Sequence, residues 1–112
     1  MKQLFGTDGI RAVAGEYPLD QRTVFAIGRA LGARLLRRYG SGQARVLVGR
    51  DTRESSTWIA GTLAGGLRAA GAEYVNAGIM TTPGVAYLAR AGKFSAGIVV
   101  SASHNPWMDN GI

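Results

Sequence analysis

The sequence contains no cysteine, which excludes disulfides, thiolate nucleophiles and zinc–sulfur centres. Its single histidine leaves little room for a histidine-rich metal cluster. There is no G-x-x-x-x-G-K-[ST] loop and no G-x-S-x-G elbow, so neither a Walker-type nucleotide site nor an α/β-hydrolase nucleophile fits. No run approaches the roughly 20 apolar residues of a membrane span. The opening Met1-Lys2-Gln3-Leu4-Phe5 lacks an apolar stretch of signal-peptide length, so a cytoplasmic location is the expectation. Basic and aromatic residues do not interleave as they do in single-strand binders, and no nucleic-acid or membrane partner is expected.

What remains is 112 residues, enough for one small domain or a piece of one. Apolar residues make up 46% and charged residues 18%, a balance that suits a packed core and not a disordered chain. Glycine is the excess, with 17 scattered residues; such glycines mark tight strand-to-helix connections and close backbone approaches. The net charge of +6 suggests an anionic partner, phosphorylated metabolites among them. Arg22, Arg29, Arg34, Arg37, Arg38 and Arg45 fall in or just after one predicted helix and read as its solvated face.

That helix is predicted from an Asp20 N-cap to about Arg38, with Val24, Ile27, Leu31 and Leu35 as its apolar stripe and Gly40 as its stop. A second is predicted from Ser55 or Ser56 to Ala70, with Ile59, Leu63 and Leu67 aligned and Gly71 following. A third spans Pro83 to Ala91, with Val85, Leu88 and Ala91 facing inward. Between them, the 45–49, 73–76 and 96–100 runs are continuously apolar or β-rich, as strands covered on both faces are. Strand alternating with helix predicts a layered α/β domain with a largely parallel sheet.

Ligands of such sheets bind outside the carboxyl ends of the strands. Four polar segments could carry chemistry, not all of them at such an end. Ser101-Ala102-Ser103-His104-Asn105-Pro106 follows a strand and carries two hydroxyls and the histidine, although serine, asparagine and proline also simply form turns. Phe5-Gly6-Thr7-Asp8-Gly9-Ile10-Arg11 offers backbone donors and a guanidinium, as a phosphate requires. Gly49-Arg50-Asp51-Thr52-Arg53-Glu54-Ser55-Ser56 leads into a helix whose first amides suit an anion. There Asp51, Ser55 or Ser56 equally serves as a helix cap. Thr81-Thr82-Pro83-Gly84 opens another helix, with Thr81 as its cap.

In this order, the four segments resemble the α-D-phosphohexomutase family along essentially the whole chain. The opening segment and Asp109-Asn110-Gly111-Ile112 are most similar to the branch that handles glucosamine phosphates; the branch for mannose and glucose phosphates is the nearest alternative. The resemblance implies a three-layer α/β/α fold with a mostly parallel, mixed sheet. It also implies that residues 1–112 form an incomplete first domain, the later domains being absent and the chain alone inactive. The implied activity interconverts glucosamine 6-phosphate and glucosamine 1-phosphate. In such enzymes the serine before His-Asn-Pro, here Ser103, is phosphorylated and passes its phosphoryl to the sugar through a sugar 1,6-bisphosphate. Arg11 would neutralise charge beside it, and His104 would shape the loop or move a proton. Mg²⁺ would bind one oxygen on Ser103 and three aspartates of a later segment. The partner implied is a phosphosugar. Rival readings are a standalone phosphate-binding module and a piece that self-associates through an exposed sheet edge, with Ile98, Val99 and Trp107 short of cover.

Overall fold

The computed structural model describes residues 9–102 and 107–112. In chain order the elements are β1 (Arg11–Val13), α1 (Gln21–Tyr39), β2 (Arg45–Arg50), α2 (Glu54–Ala69), β3 (Glu73–Ile79), α3 (Thr82–Ala91), β4 (Ala96–Val100) and β5 (Asp109–Gly111). β2, β3 and β4 form a parallel sheet in the order β3-β2-β4. β1 and β5 form a separate antiparallel ribbon.

This order determines the layers. From β2 the chain steps one way to β3 and then returns past β2 to reach β4. Parallel crossovers are right-handed, so reversing the step sends the two crossover helices to opposite faces of the sheet. Accordingly Val46, Val48, Ile98 and Val100 join Ile59, Leu63 and Leu67 of α2 in one core, with Val24 and Leu35 of α1 behind them. Gly49, on the alternate face of β2, lies under α3, where an added Cβ would clash with Val85. The expected three-layer α/β/α arrangement with a parallel sheet is what the chain adopts.

Asp20 caps α1 through a hydrogen bond from Thr23 N to its carboxylate, 3.0 Å, as expected. The buried stripe differs from the predicted one. Val24 and Leu35 are buried, Ile27 and Leu31 only half so, and Gly28 and Gly32 occupy the centre of the contact. The reason is close approach: a Cβ on Gly28 would stand 2.2 Å from Leu63 O, and one on Gly66 2.2 Å from Phe25 O. α1 and α2 therefore touch backbone to backbone, a contact that a search for large apolar residues overlooks. The five arginines predicted on α1, from Arg22 to Arg38, are exposed as expected. Arg45 instead stacks on Phe94, 4.6 Å from the ring centre, and faces Glu73.

α2 starts at Glu54, and none of Asp51, Ser55 and Ser56 caps it; Arg53 holds the N-cap position without a side-chain bond. α3 starts one residue early at Thr82, with the Thr81 hydroxyl accepting from Gly84 N at 3.0 Å. Only Val85 of its predicted inward set is buried. Leu88 is 40% exposed and Ala91 is exposed, because this short helix covers just the β2–β4 half of its face. β4 is better covered than expected, with Ile98 buried and Val99 half-buried, whereas Trp107 is 76% exposed. Among the described residues the outer edge of β4 stays open, beside a groove of about 520 Å³ against Ile27 and Leu31 of α1. Among the described residues no helix is long and apolar enough to cross a membrane.

Candidate active site at the carboxyl end of the sheet

β2 and β4 are neighbours, and the chain leaves them toward α2 and toward residue 101 respectively. With crossovers on opposite faces, the loops after these two strands diverge and leave a crevice between them, the switch point of such a sheet. An open cleft of about 850 Å³ lies there, lined by Asp51, Thr52, Arg53, Thr81, Thr82 and Ser101, with Trp107 at its side. The N-termini of α2 and α3 both open onto it, so their helix dipoles favour an anion in the cleft.

The β1–β5 ribbon fastens onto this end of the sheet. Ser101 N donates to Gly111 O at 3.0 Å, while Ile10 and Ile112 exchange backbone bonds of 3.0 Å each. Gly111 has no space for a side chain, since a Cβ would stand 2.8 Å from Ser101 O. The ribbon carries Arg11 to the cleft rim, where its Nη1 donates to Ala102 O at 2.9 Å. Arg11 thus reaches the residue just before Ser103.

Asp51 organises the opposite rim. Its backbone N donates to Val100 O at 3.1 Å, and its carboxylate accepts from Arg53 N at 3.0 Å and Arg53 Nη1 at 2.6 Å. The hydroxyls of Ser56 and Ser101 donate to the same carboxylate. Partial burial pushes the Asp51 pKa up, but the hydrogen bonds from Ser56, Arg53 and Ser101 outweigh it and hold the carboxyl below its ordinary value. Asp51 is therefore an ionised organiser of the rim at neutral pH, not a proton donor.

Described parts of all four segments singled out from sequence meet here: Arg11, the 51–53 loop and the 81–83 helix start surround the Ser101–Ala102 strand exit. Ser103 and His104 lie outside the described residues, as do Thr7 and Asp8. Sequence reasoning missed the roles of Ser56 and Asn110. Both are fully buried, and Asn110 Nδ2 donates to Ser55 Oγ at 2.8 Å and Ser56 Oγ at 2.9 Å. An Asn-Gly pair reads as a turn, which hid a strand residue; only a tertiary contact distinguishes the two.

The fold and the cleft define a doubly covered α/β domain with an open cleft at its strand ends, flanked by two helix N-termini. The sequence model of the family described as phosphoglucomutase/phosphomannomutase, alpha/beta/alpha domain I, matches residues 2–112, and the chain belongs to that family. It is 70% identical over its whole length to a protein of Koribacter versatilis named phosphoglucosamine mutase, covering 24% of that protein. It is 58% identical to one of the same name from Solibacter usitatus, with 99% of this chain and 24% of that one covered. A solved phosphoglucomutase/phosphomannomutase family protein from Burkholderia thailandensis superposes with a TM-score of 0.81 at 38% identity, over 96% of this chain and 24% of that one. The chain thus spans about a quarter of the length of these relatives.

Proposed function

We propose that this chain is the phosphoryl-carrying domain of a phosphosugar mutase, and that the whole protein interconverts glucosamine 6-phosphate and glucosamine 1-phosphate. The observation that carries the reading is the Arg11 guanidinium 2.9 Å from Ala102 O, at a strand exit that opens onto the anion-favouring cleft and leads directly to Ser103. The names of the relatives supply the sugar.

A serine hydroxyl is a weak nucleophile, whereas a phosphoserine is a ready donor once its charge is neutralised. In the proposed cycle the Ser103 Oγ–P bond breaks as a P–O bond forms to the free sugar hydroxyl, whose proton ends on the departing Ser103 Oγ. The resulting sugar bisphosphate turns over, and its other phosphoryl returns to Ser103 Oγ, so phosphate is conserved. Arg11 offsets the charge that spreads over the transferring oxygens, and the positive ends of the α2 and α3 dipoles favour anions in the cleft. His104, in the same segment, shapes the loop or accepts the hydroxyl proton. Among the described residues no three His, Asp or Glu stand together as a metal site. They therefore do not fit Mg²⁺ by themselves, and no step is routed through it.

The test uses a longer protein in which residues 1–112 are joined to the C-terminal remainder of the Koribacter versatilis relative. Ser103→Ala should lower turnover there by about 10³-fold or more at unchanged melting temperature, since removing a covalent carrier leaves only binding and electrostatics. Near-normal turnover would overturn the assignment and direct attention to Ser101.

A further inference from the structure

Asn110 is a carboxamide with no exposed surface, in a strand of only three residues. Burying such a group unpaired costs stability, and here every part of it is engaged. Nδ2 donates to the hydroxyls of Ser55 and Ser56, and Oδ1 accepts from Gly111 N at 2.9 Å. Ser56, also without exposed surface, donates its hydroxyl hydrogen bond to Asp51, and Asp51 accepts a further bond from the Ser101 side chain. A continuous chain of hydrogen bonds therefore runs Asn110–Ser56–Asp51–Ser101. It begins after residues 103–108 and ends before them. Ser101 N to Gly111 O ties the same two points directly, and Met108 O accepts from Ala14 N at 3.0 Å. The anchor is the first turn of α2, the helix most deeply packed in the core.

We infer that Asn110, acting through Ser56 and Asp51, is a positioning residue that holds the two described flanks of the Ser103 segment, Ser101–Ala102 and Asp109–Gly111, against α2 and so fixes the points between which the phosphoryl carrier is strung. This rests on the reading of Ser103 as that carrier. The chemistry of the relay is directional. Ser56 has one proton, and it is committed to the ionised Asp51, so the Ser56 oxygen is left to accept, and only a donor such as the Asn110 amide completes the chain. Asp at 110 would bring a second carboxylate to the same hydroxyl. Displacing a reacting group by about 1 Å costs on the order of 10²-fold in rate even when the change lies away from the chemistry.

The experiment has two arms. In the 112-residue chain itself, amide hydrogen exchange is compared for wild type, Asn110→Ala and Ser56→Ala. Exchange at Ser101 and Ala14, whose amides bond Gly111 O and Met108 O, should quicken about tenfold, while amides of the β2 core keep their rates. In the longer protein described above, kcat should fall about 10–100-fold with KM within about twofold, because the sugar still binds but meets a misplaced donor. Faster exchange with unchanged kcat would reduce the network to a structural brace and overturn the inference. Lowered kcat with unchanged exchange would overturn it equally, since nothing would have moved. Turnover that survives Ser103→Ala removes the carrier reading, whereas normal turnover of Asn110→Ala beside an inactive Ser103→Ala removes the positioning role alone. If Asn110→Ala does not fold, Ser56→Ala decides both arms, because it cuts the relay and leaves Asn110 its bond to Ser55.

Discussion

Arg11 is the described side chain on which the proposed chemistry leans most. Its guanidinium donates to Ala102 O, and the planar fork of an arginine suits a phosphate. Arg11→Lys keeps the charge and loses the fork. A charge-assisted hydrogen bond contributes roughly 1.5–3 kcal/mol, so kcat/KM of the longer protein should fall about 10–100-fold, as steady-state kinetics on the sugar phosphate will show. Asp51 supports a different test. Its folded-state pKa lies below the ordinary 3.8, so its contribution to stability is full above that value and is lost as pH falls through the depressed folded pKa. Urea midpoints of the 112-residue chain measured at neutral pH and again below pH ~3.8 should therefore drop more for wild type than for Asp51→Asn. An equal drop in both would show that the carboxylate makes no net contribution.

At the scale of elements, the α1–α2 pair is the one most dependent on glycine. Replacing an interior helical glycine by alanine ordinarily stabilises by about 1 kcal/mol. At Gly66 the new Cβ would lie 2.2 Å from Phe25 O and 2.7 Å from Arg29 N, both backbone atoms that move only with the whole helix. Overpacking of that kind costs about 1–3 kcal/mol, which outweighs the helix gain. Gly61, one turn and a half earlier on the same helix, has nothing within 4 Å of its would-be Cβ. Gly66→Ala should thus lower the melting temperature and Gly61→Ala raise it. The opposite signs separate packing from propensity in one pair of melts.

For the whole molecule, the cleft encloses little. It opens broadly at the strand ends, and the described residues gather no metal donor set. Positioning accounts for most of the barrier reduction in phosphoryl transfer. The 112-residue chain alone should therefore show no turnover of glucosamine 6-phosphate, even with Mg²⁺ and a sugar bisphosphate added, while the longer protein turns over. Robust activity of the chain by itself would show that the other three quarters of the relatives' length is not needed for the chemistry.

Local rules made much of this legible in one dimension. Asp20 and Thr81 announce helix starts because their oxygens find a donor three residues on, and the Ile59, Leu63 and Leu67 spacing could face only one core. The apolar runs at 46–48 and 98–100 required cover on both faces, and hence helices on both sides of a parallel sheet. The 51–53 and 81–83 loops are legible because polar groups that follow a strand have no ladder to occupy them, and Arg11 because it follows a glycine-flanked Thr-Asp pair that suits a phosphate. The β1–β5 ribbon was not legible, since Arg11–Val13 and Asp109–Gly111 are too short to show a period and pair across nearly the whole chain. Nor was the glycine contact of α1 with α2, because glycine advertises flexibility and not burial. Asn110 is the clearest case. Its residue type reads as a turn, and it became a buried donor only because tertiary folding brought the oxygens of Ser55 and Ser56, more than fifty residues away in sequence, within 3 Å of its amide.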